Sequence, residues 1–388
     1  MSNDSVERHI TVTDGQKGNS QGSNQILPLT SLRFFAAFFV VLYHTCARDG
    51  LSWFGRVVNQ GYVSVSFFFT LSGYILAVVY LRDRTQLDKK TFWVARFARV
   101  YPMFLLTLML DTPFLLFVRI AKYGLASAIA KTTVNFLGCC LTLQSWFTAL
   151  GAIDTPNWSL SAETVFYFVF PFVGAAIWRI YSSKTWFCAV LIYLCGIAAL
   201  LGVSKMGMTV ATVGFNPILH LHEFVAGILI AKIQNEFSPA QRGVVRGIAG
   251  FVSVVVALVF LVIAQVQTQN LYLLDGLLVP LYALVIWSFS SKNRFISLLF
   301  SRPWLVLLGE ASYGVYLIHI PLFHIYEHLG LANGSNGIAY LAYLASTVGI
   351  SVVAFRLFET PARRAILRKF LPKPSVPAAQ AVMTTLAR

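Results

Sequence analysis

Eleven apolar segments of roughly bilayer-crossing length follow one another along this chain: Ile26–Ala47, Val57–Leu81, Val100–Val118, Thr132–Ile153, Glu163–Trp178, Thr185–Val203, Pro217–Ile233, Gly247–Val266, Leu271–Ser290, Trp304–Tyr326 and Gly337–Phe355. A hydrocarbon core about 30 Å thick needs about 20 apolar residues of helix to cross it. Inside lipid a backbone amide has only other backbone groups to bond, so such segments fold as helices. With 57% of its residues hydrophobic and 12% charged, the chain carries more apolar surface than a water-soluble fold can bury. The alternating pattern of membrane β-strands is absent. The expected class is an all-α polytopic membrane protein.

Loop charge decides how many segments cross. Arg82, Arg84, Lys89, Lys90, Arg96 and Arg99 follow the second segment and mark a cytoplasmic loop, which puts the N-terminus inside as well. If Thr132–Ile153 crossed, three later basic groups would face outward: Lys232 with Arg242 and Arg246, Lys292 with Arg294 and Arg302, and Arg363 with Arg364, Arg368 and Lys369. If it turns back, all three face the cytoplasm. The positive-inside rule thus selects ten transmembrane helices, both termini cytoplasmic, with Thr132–Ile153 a re-entrant or interfacial segment. Only Arg119, Lys122 and Lys131 are then on the wrong side. The net charge of +15 reads as this bias and not as a nucleic-acid surface. Residues 1–25 are polar and expected to be a disordered tail, 26–365 a single membrane domain, and 366–388 a second, basic and proline-containing tail. The first helix lacks a small-residue cleavage site and is expected to stay in place. Cys46, Cys139, Cys140, Cys188 and Cys195 show neither a metal-ligand spacing nor a disulfide framework.

Ionisable and polar residues inside these segments are the candidates for chemistry. Arg33 and His44 are eleven residues apart, so on a helix they share one face and stand about 16 Å apart along the axis. Either Arg33 snorkels and His44 is an ordinary bundle hydrogen-bonder, or the two line a cavity. Arg96 and Arg99, at i,i+3 spacing, can converge on one anion; the alternative is ordinary cytoplasmic decoration, with Pro102 opening a helix behind them. Asn157-Trp-Ser-Leu-Ser-Ala-Glu163 opens the fifth segment, where Asn157 or Ser159 could cap and Glu163 sit at the positive helix end; alternatively Glu163 orients a histidine or hydroxyl. Gly61–Tyr74 reads as a close-packing face with Ser72-Gly73 at a potential kink. Ser312, Tyr313, Tyr316 and His319 lie on adjoining helical faces, Tyr316 and His319 at hydrogen-bonding spacing. His220, His222 and Glu223 have no zinc spacing and read as structural. No metal site is expected.

Together these stretches resemble the acyltransferase-3 family of bacterial integral-membrane O-acyltransferases, from about Leu29 to Arg364. Arg33 and His44 are similar to the family's Arg-x10-His pair, and Gly61–Tyr74 to its Gly-x-x-x-Phe-Phe-x-Leu-Ser-Gly-Phe/Tyr stretch, with Ser64 where an acidic residue is common. Arg96 and Arg99 fall on its Arg-x-x-Arg pair, Trp158–Glu163 on its Trp-Ser-Leu-Ser-Val-Glu stretch, and Gly309–His319 on its Ser-Tyr…Tyr-Leu-x-His stretch. The resemblance implies the same ten-span core. It also implies transfer of an acyl group, most often acetyl, from cytoplasmic acyl-CoA to a hydroxyl of a cell-envelope or exported carbohydrate or glycolipid, in the inner membrane. No bound cofactor is implied; acyl-CoA is the donor substrate. Polysaccharide-assembly proteins are further expected partners. Some relatives carry a fused periplasmic SGNH domain, for which this chain leaves no room, so transfer is expected in the membrane domain or on a separate partner.

The expected roles follow. His44 is general base or acyl relay. Arg33, Arg96 and Arg99 hold the donor's phosphates, Arg33 also serving the transfer step, and Glu163 orients. Ser72, Trp158, Ser161, Tyr313, Tyr316 and His319 are further site candidates. A lipid-linked glycan flippase or transporter without acyl-CoA chemistry would share the spans and the charge, and so would a non-catalytic assembly subunit.

Overall fold

A computed structural model describes residues 15–46, 53–82, 87–147, 153, 155–206, 214–236, 255, 276–290, 294–331 and 337–371. Among these residues the fold is helical, with no strand. In chain order the helices are α1 (Gly15–Thr45), α2 (Trp53–Val58), α3 (Val63–Tyr80), α4 (Lys89–Tyr123), α5 (Leu125–Cys140), α6 (Trp158–Trp178), α7 (Ser182–Lys205) and α8 (Leu221–Glu236). They continue with α9 (Val279–Phe289), α10 (Arg294–Phe300), α11 (Pro303–Glu310), α12 (Ser312–His328), α13 (Gly337–Ala354) and α14 (Thr360–Phe370). A 3₁₀ turn, Thr155–Asn157, leads into α6, and a π-helical turn, Phe355–Glu359, joins α13 to α14.

Six helices among the described residues are long and apolar enough to cross a membrane, or seven if α11 and α12, bent by 56° at Ala311, form one broken span. The chain is thus a multi-pass helical bundle. Apart from residue 255, the expected segment Gly247–Val266 lies outside the described residues, as do residues 1–14 of the first tail and 372–388 of the second. Helix α1 begins at Gly15, inside the stretch read as a tail, but only its part from Leu27 is apolar enough to span.

The region around Thr132–Ile153 is not one crossing helix. Helix α5 ends at Cys140, and the chain turns at Thr142, whose φ of 55° is the one left-handed non-glycine backbone among the described residues. The Ser161 hydroxyl donates to the Thr142 carbonyl, which ties this turn to the start of α6. Gln144 Nε2 donates to the Asn157 carbonyl at 2.7 Å and Ser145 Oγ to the Trp158 carbonyl at 2.8 Å. Irregular backbone is thereby satisfied inside protein, the condition for its presence at membrane depth.

Two local expectations are corrected. Pro102 does not open a helix: α4 starts at Lys89 and carries both Pro102 and Pro113 in its interior. The start is set by Asp88, which accepts from the Lys90 amide at 3.1 Å and from the Thr91 hydroxyl. That hydroxyl, with the backbone amides, holds the Asp88 carboxyl below the usual carboxylate range. Each proline removes one backbone bond, a loss that tertiary packing outweighs. Asn157 occupies the cap position of α6 but makes no side-chain cap bond, because the 3₁₀ turn already delivers helical backbone there (φ −65°, ψ −14°).

Helices α3 and α8 cross at the centre through glycines. A Cβ on Gly73 would lie 2.0 Å from the Phe224 carbonyl, and one on Gly227 2.0 Å from the Thr70 carbonyl. Small residues at both sides let the backbones touch, as the Gly61–Tyr74 pattern suggested. Gly73→Leu is therefore expected to destabilise by about 1–3 kcal/mol or more. Thermal unfolding of purified protein should show a clear fall in Tm; an unchanged Tm would mean that this crossing does not hold the core together.

Candidate functional site

Helices α1, α4 and α12 run side by side in the same direction. Tyr313 on α12 donates to the Val100 carbonyl on α4 at 3.0 Å, and eleven residues further along both helices His324 Nδ1 meets Asp111 Oδ1 at 2.7 Å. Gly309, just before α12, lies against Thr30 of α1, and His44 near the end of α1 meets His319 of α12. Side chains from the three helices therefore form levels along a common axis.

At the first level stand the arginines. Arg33 from α1 interacts electrostatically with Arg99, Glu163, Tyr167 and Glu359, and Glu163 in turn with Arg33, Arg99 and Arg96. The Tyr167 hydroxyl donates to Glu163 one helical turn back, and Trp93 Nε1 fixes the Tyr167 carbonyl at 3.1 Å. Arg96 donates to the Tyr80 hydroxyl at 3.2 Å and lies 5.5 Å from the Tyr80 ring centroid, 5.9 Å from Phe92 and 5.8 Å from Tyr167. An aromatic wall thus backs a planar cation. Arginine spacing on α4 explains the convergence: residues three apart project from one face.

At the second level, three turns along α1, His44 Nδ1 and His319 Nε2 are 3.0 Å apart, with ring centroids 5.2 Å apart and planes 17° from parallel. His319 is fully buried. The Tyr343 hydroxyl from α13 bonds the His319 carbonyl at 2.9 Å, and Tyr340 and Thr45 hydroxyls meet at 3.1 Å. One imidazole of the pair donates and the other accepts. With the proton on His44 Nδ1, its Nε2 is left as the basic nitrogen.

Between the levels, the Tyr316 hydroxyl meets Ser159 Oγ at 2.8 Å and donates to the Pro156 carbonyl at 3.0 Å. Tyr316 thus locks α12 to the start of α6, and its ring centroid is 6.2 Å from that of His319.

Of the residues singled out from sequence, the structure gathers Arg33, Arg96, Arg99, Glu163 and Tyr313 at one level and joins His44 to His319 at the next. The ring partner of His44 is His319; Glu163 belongs with the arginines. Ser161 serves the α5–α6 turn. Trp158 packs on Phe69, Phe215 and His220 with centroids 5.9, 4.9 and 5.1 Å away. Ser72 lies half-buried on α3, next to the Gly73 crossing. His220 bonds Glu223 at 3.3 Å and the Gly214 carbonyl at 2.8 Å, while Ser66 donates to the same carboxylate at 3.1 Å, a structural network.

A third level lies beyond the residues expected from sequence. Asp111 is 1% exposed and holds His324, which is 36% exposed. The signal was available: Asp111 is the only acid in the long apolar helix α4, and an acid at such a position seldom lacks a partner or a task. A carboxylate holding one imidazole nitrogen fixes the ring and leaves the other nitrogen to act.

Comparisons with known proteins point to one family. Residues 28–356 match the model of a family described as an acyltransferase domain. "Acyltransferase MdmB" of Streptomyces mycarofaciens is 27% identical over 375 residues, covering 88% of this chain and 92% of its own. "O-acetyltransferase OatA" of Staphylococcus aureus is 24% identical over 392 residues, covering 94% of this chain but only 62% of that protein. The chain therefore spans less than two thirds of OatA. No solved structure matches the chain.

Proposed function

This chain belongs to the acyltransferase-3 family, and from that premise we propose that it is a membrane O-acetyltransferase, moving an acetyl group from cytoplasmic acetyl-CoA to a hydroxyl of a cell-envelope or exported carbohydrate. That it is an acyltransferase follows from its family; donor, acceptor and direction are the proposal. The acetyl assignment is supported by the name of the relative OatA. The observation that carries the reading is the stepped polar axis. An arginine cluster gathers at Arg33 of α1, and the His44–His319 pair lies about 16 Å further along that helix, a distance comparable to an extended pantetheine arm.

Phosphates held by Arg33, Arg96 and Arg99 would place the thioester at His44. By the positive-inside rule the arginine end and both termini would face the cytoplasm, with the chain in the inner membrane. The acceptor then comes from the opposite side, past Asp111 and His324. His44 takes the proton of the acceptor hydroxyl as its oxygen bonds the thioester carbonyl carbon. The carbon–sulfur bond breaks, and the thiolate leaves with the proton. His319 holds the His44 ring through Nδ1. Carbohydrate-assembly proteins would supply the acceptor.

Donor titration of CoA release tests the division of labour. Arg96→Ala and Arg99→Ala each remove a charge-assisted contact worth about 1.5–3 kcal/mol, or about 10–150-fold in affinity. The half-saturating acetyl-CoA concentration should rise by that factor, and saturating donor should restore much of the rate. Lysine at Arg96 should rescue only in part, since an ammonium lacks the bidentate fork. Unchanged donor dependence in both variants would remove the arginines from the donor site.

A further inference from the structure

We propose that Arg96 and Arg363 form a subsite for the 3′-phosphate of the donor's adenosine, so that the enzyme selects a coenzyme A thioester over a phosphopantetheine arm on a carrier protein. The inference rests on the reading of acyl-CoA as donor and adds to it a residue from the far end of the chain.

Helix α14 carries Arg363, Arg364, Arg368 and Lys369. Arg364, Arg368 and Lys369 are exposed, as cytoplasmic charges ordinarily are, but Arg363 is 5% exposed. The π-helical turn Phe355–Glu359 accounts for the difference. Its extra residue rotates everything that follows by about 100° relative to α13. Glu359 and Arg363, four residues apart, both turn inward as α14 packs against α4. π-Turns of this kind recur at functional sites.

What they turn toward is rich in cations. Arg363 interacts electrostatically with Arg99, Arg96, Glu359 and Tyr80. With Arg33, the described residues of the cluster supply four guanidinium groups against Glu163 and Glu359, and even with Glu310 beside Glu359 the cations among them outnumber the acids. The Nε groups of Arg96 and Arg363 are both buried without a hydrogen-bond partner, and so is Glu359 Oε2. Buried charged donors with bonds unmade are costly and call for a ligand. A phosphomonoester dianion suits a pair of guanidinium forks.

Position selects which phosphate. The donor carries a diphosphate next to the pantetheine arm and a phosphomonoester on the ribose beyond it. Arg33 lies on the helix that leads to His44, so the diphosphate falls to the Arg33 and Arg99 side. Arg96 and Arg363 share Tyr80, the last residue of α3 before the basic loop. They therefore meet the end of the donor furthest from the thioester. The Tyr80, Phe92 and Tyr167 rings around Arg96 offer apolar faces beside that phosphate. A carrier protein's phosphopantetheine has no 3′-phosphate to offer.

The test is calorimetric titration of the full chain in nanodiscs with CoA and with 3′-dephospho-CoA. Wild type should bind CoA at least about tenfold more tightly. Arg363→Ala should erase that preference by weakening CoA alone, and Arg363→Lys should keep only part of it. Arg368→Ala, on the exposed face of the same helix, should leave the preference intact. Equal binding of the two ligands by wild type, or a full preference in Arg363→Ala, overturns the subsite. If Arg363→Ala does not fold, a full preference in Arg363→Lys overturns it instead. Wild type that binds neither ligand overturns the donor reading, and the subsite falls with it.

Discussion

His44→Ala is expected to lower acyl transfer by about 10²–10⁴-fold, the usual contribution of a general base, while leaving CoA affinity near that of wild type. The separation follows from the layout. His44 stands about 16 Å along α1 from Arg33, so its removal touches neither the arginines nor their aromatic wall. His319 holds the His44 ring at 3.0 Å, so in the proposed mechanism the two act as one unit. His319→Ala should thus fall in the same direction, and the double variant should cost little more than His44→Ala alone, because members of a catalytic unit are not additive. Single-turnover acetyl transfer and CoA titration on matched preparations measure the two quantities. A His44→Ala enzyme that loses CoA affinity in proportion to its rate would place His44 in donor binding and not in chemistry.

Glu163→Gln is expected to lower turnover by about 10²-fold or more with a smaller change in stability. The substitution keeps shape and hydrogen-bonding capacity, and Tyr167 can still donate to the side chain. What it removes is the negative charge that Arg33, Arg99 and Arg96 share. Without it the guanidinium groups repel one another more strongly and lose their common geometry, so donor phosphates are held out of line with His44. Were Glu163 only a helix-terminal charge, the change would cost about 1 kcal/mol or less in stability and leave turnover near normal. Measured turnover and Tm together separate the two cases, and near-normal turnover removes Glu163 from the site.

Residues within one helix were legible because helical geometry relates them without any tertiary knowledge. Arg33 and His44 share a stripe, as do Arg96 and Arg99, and the structure keeps both stripes facing the bundle. The close-packing reading of Gly61–Tyr74 needed only residue size, and the Gly73–Gly227 crossing shows what that size permits. Pairings between distant helices were not legible. His319 stands out as a candidate, but no spacing rule connects position 44 to position 319. Local rules misled where tertiary contacts outweigh them: Pro102 looks like a helix start until Asp88 is seen to cap α4, and Asn157 looks like a cap until the 3₁₀ turn supplies its place. Arg363 reads as one more cytoplasmic charge, because the π-turn that rotates it inward leaves no mark in the apolar pattern. Asp111 leaves little mark in the pattern, being one acid inside an apolar run whose length alone signals a membrane helix. The ten-span topology rests on loop charge; the described helices supply six or seven crossings toward it.

In the proposed function, this membrane protein consumes acetyl-CoA through His44. The most direct test of this is release of free CoA by purified protein in nanodiscs, supplied with acetyl-CoA and a cell-envelope carbohydrate fraction, wild type beside His44→Ala. Saturable, acceptor-dependent CoA release by wild type and its collapse in His44→Ala is the predicted result. Equal CoA release by the two proteins would contradict the account, as would a wild-type protein that moves lipid-linked glycan across a bilayer without consuming any donor.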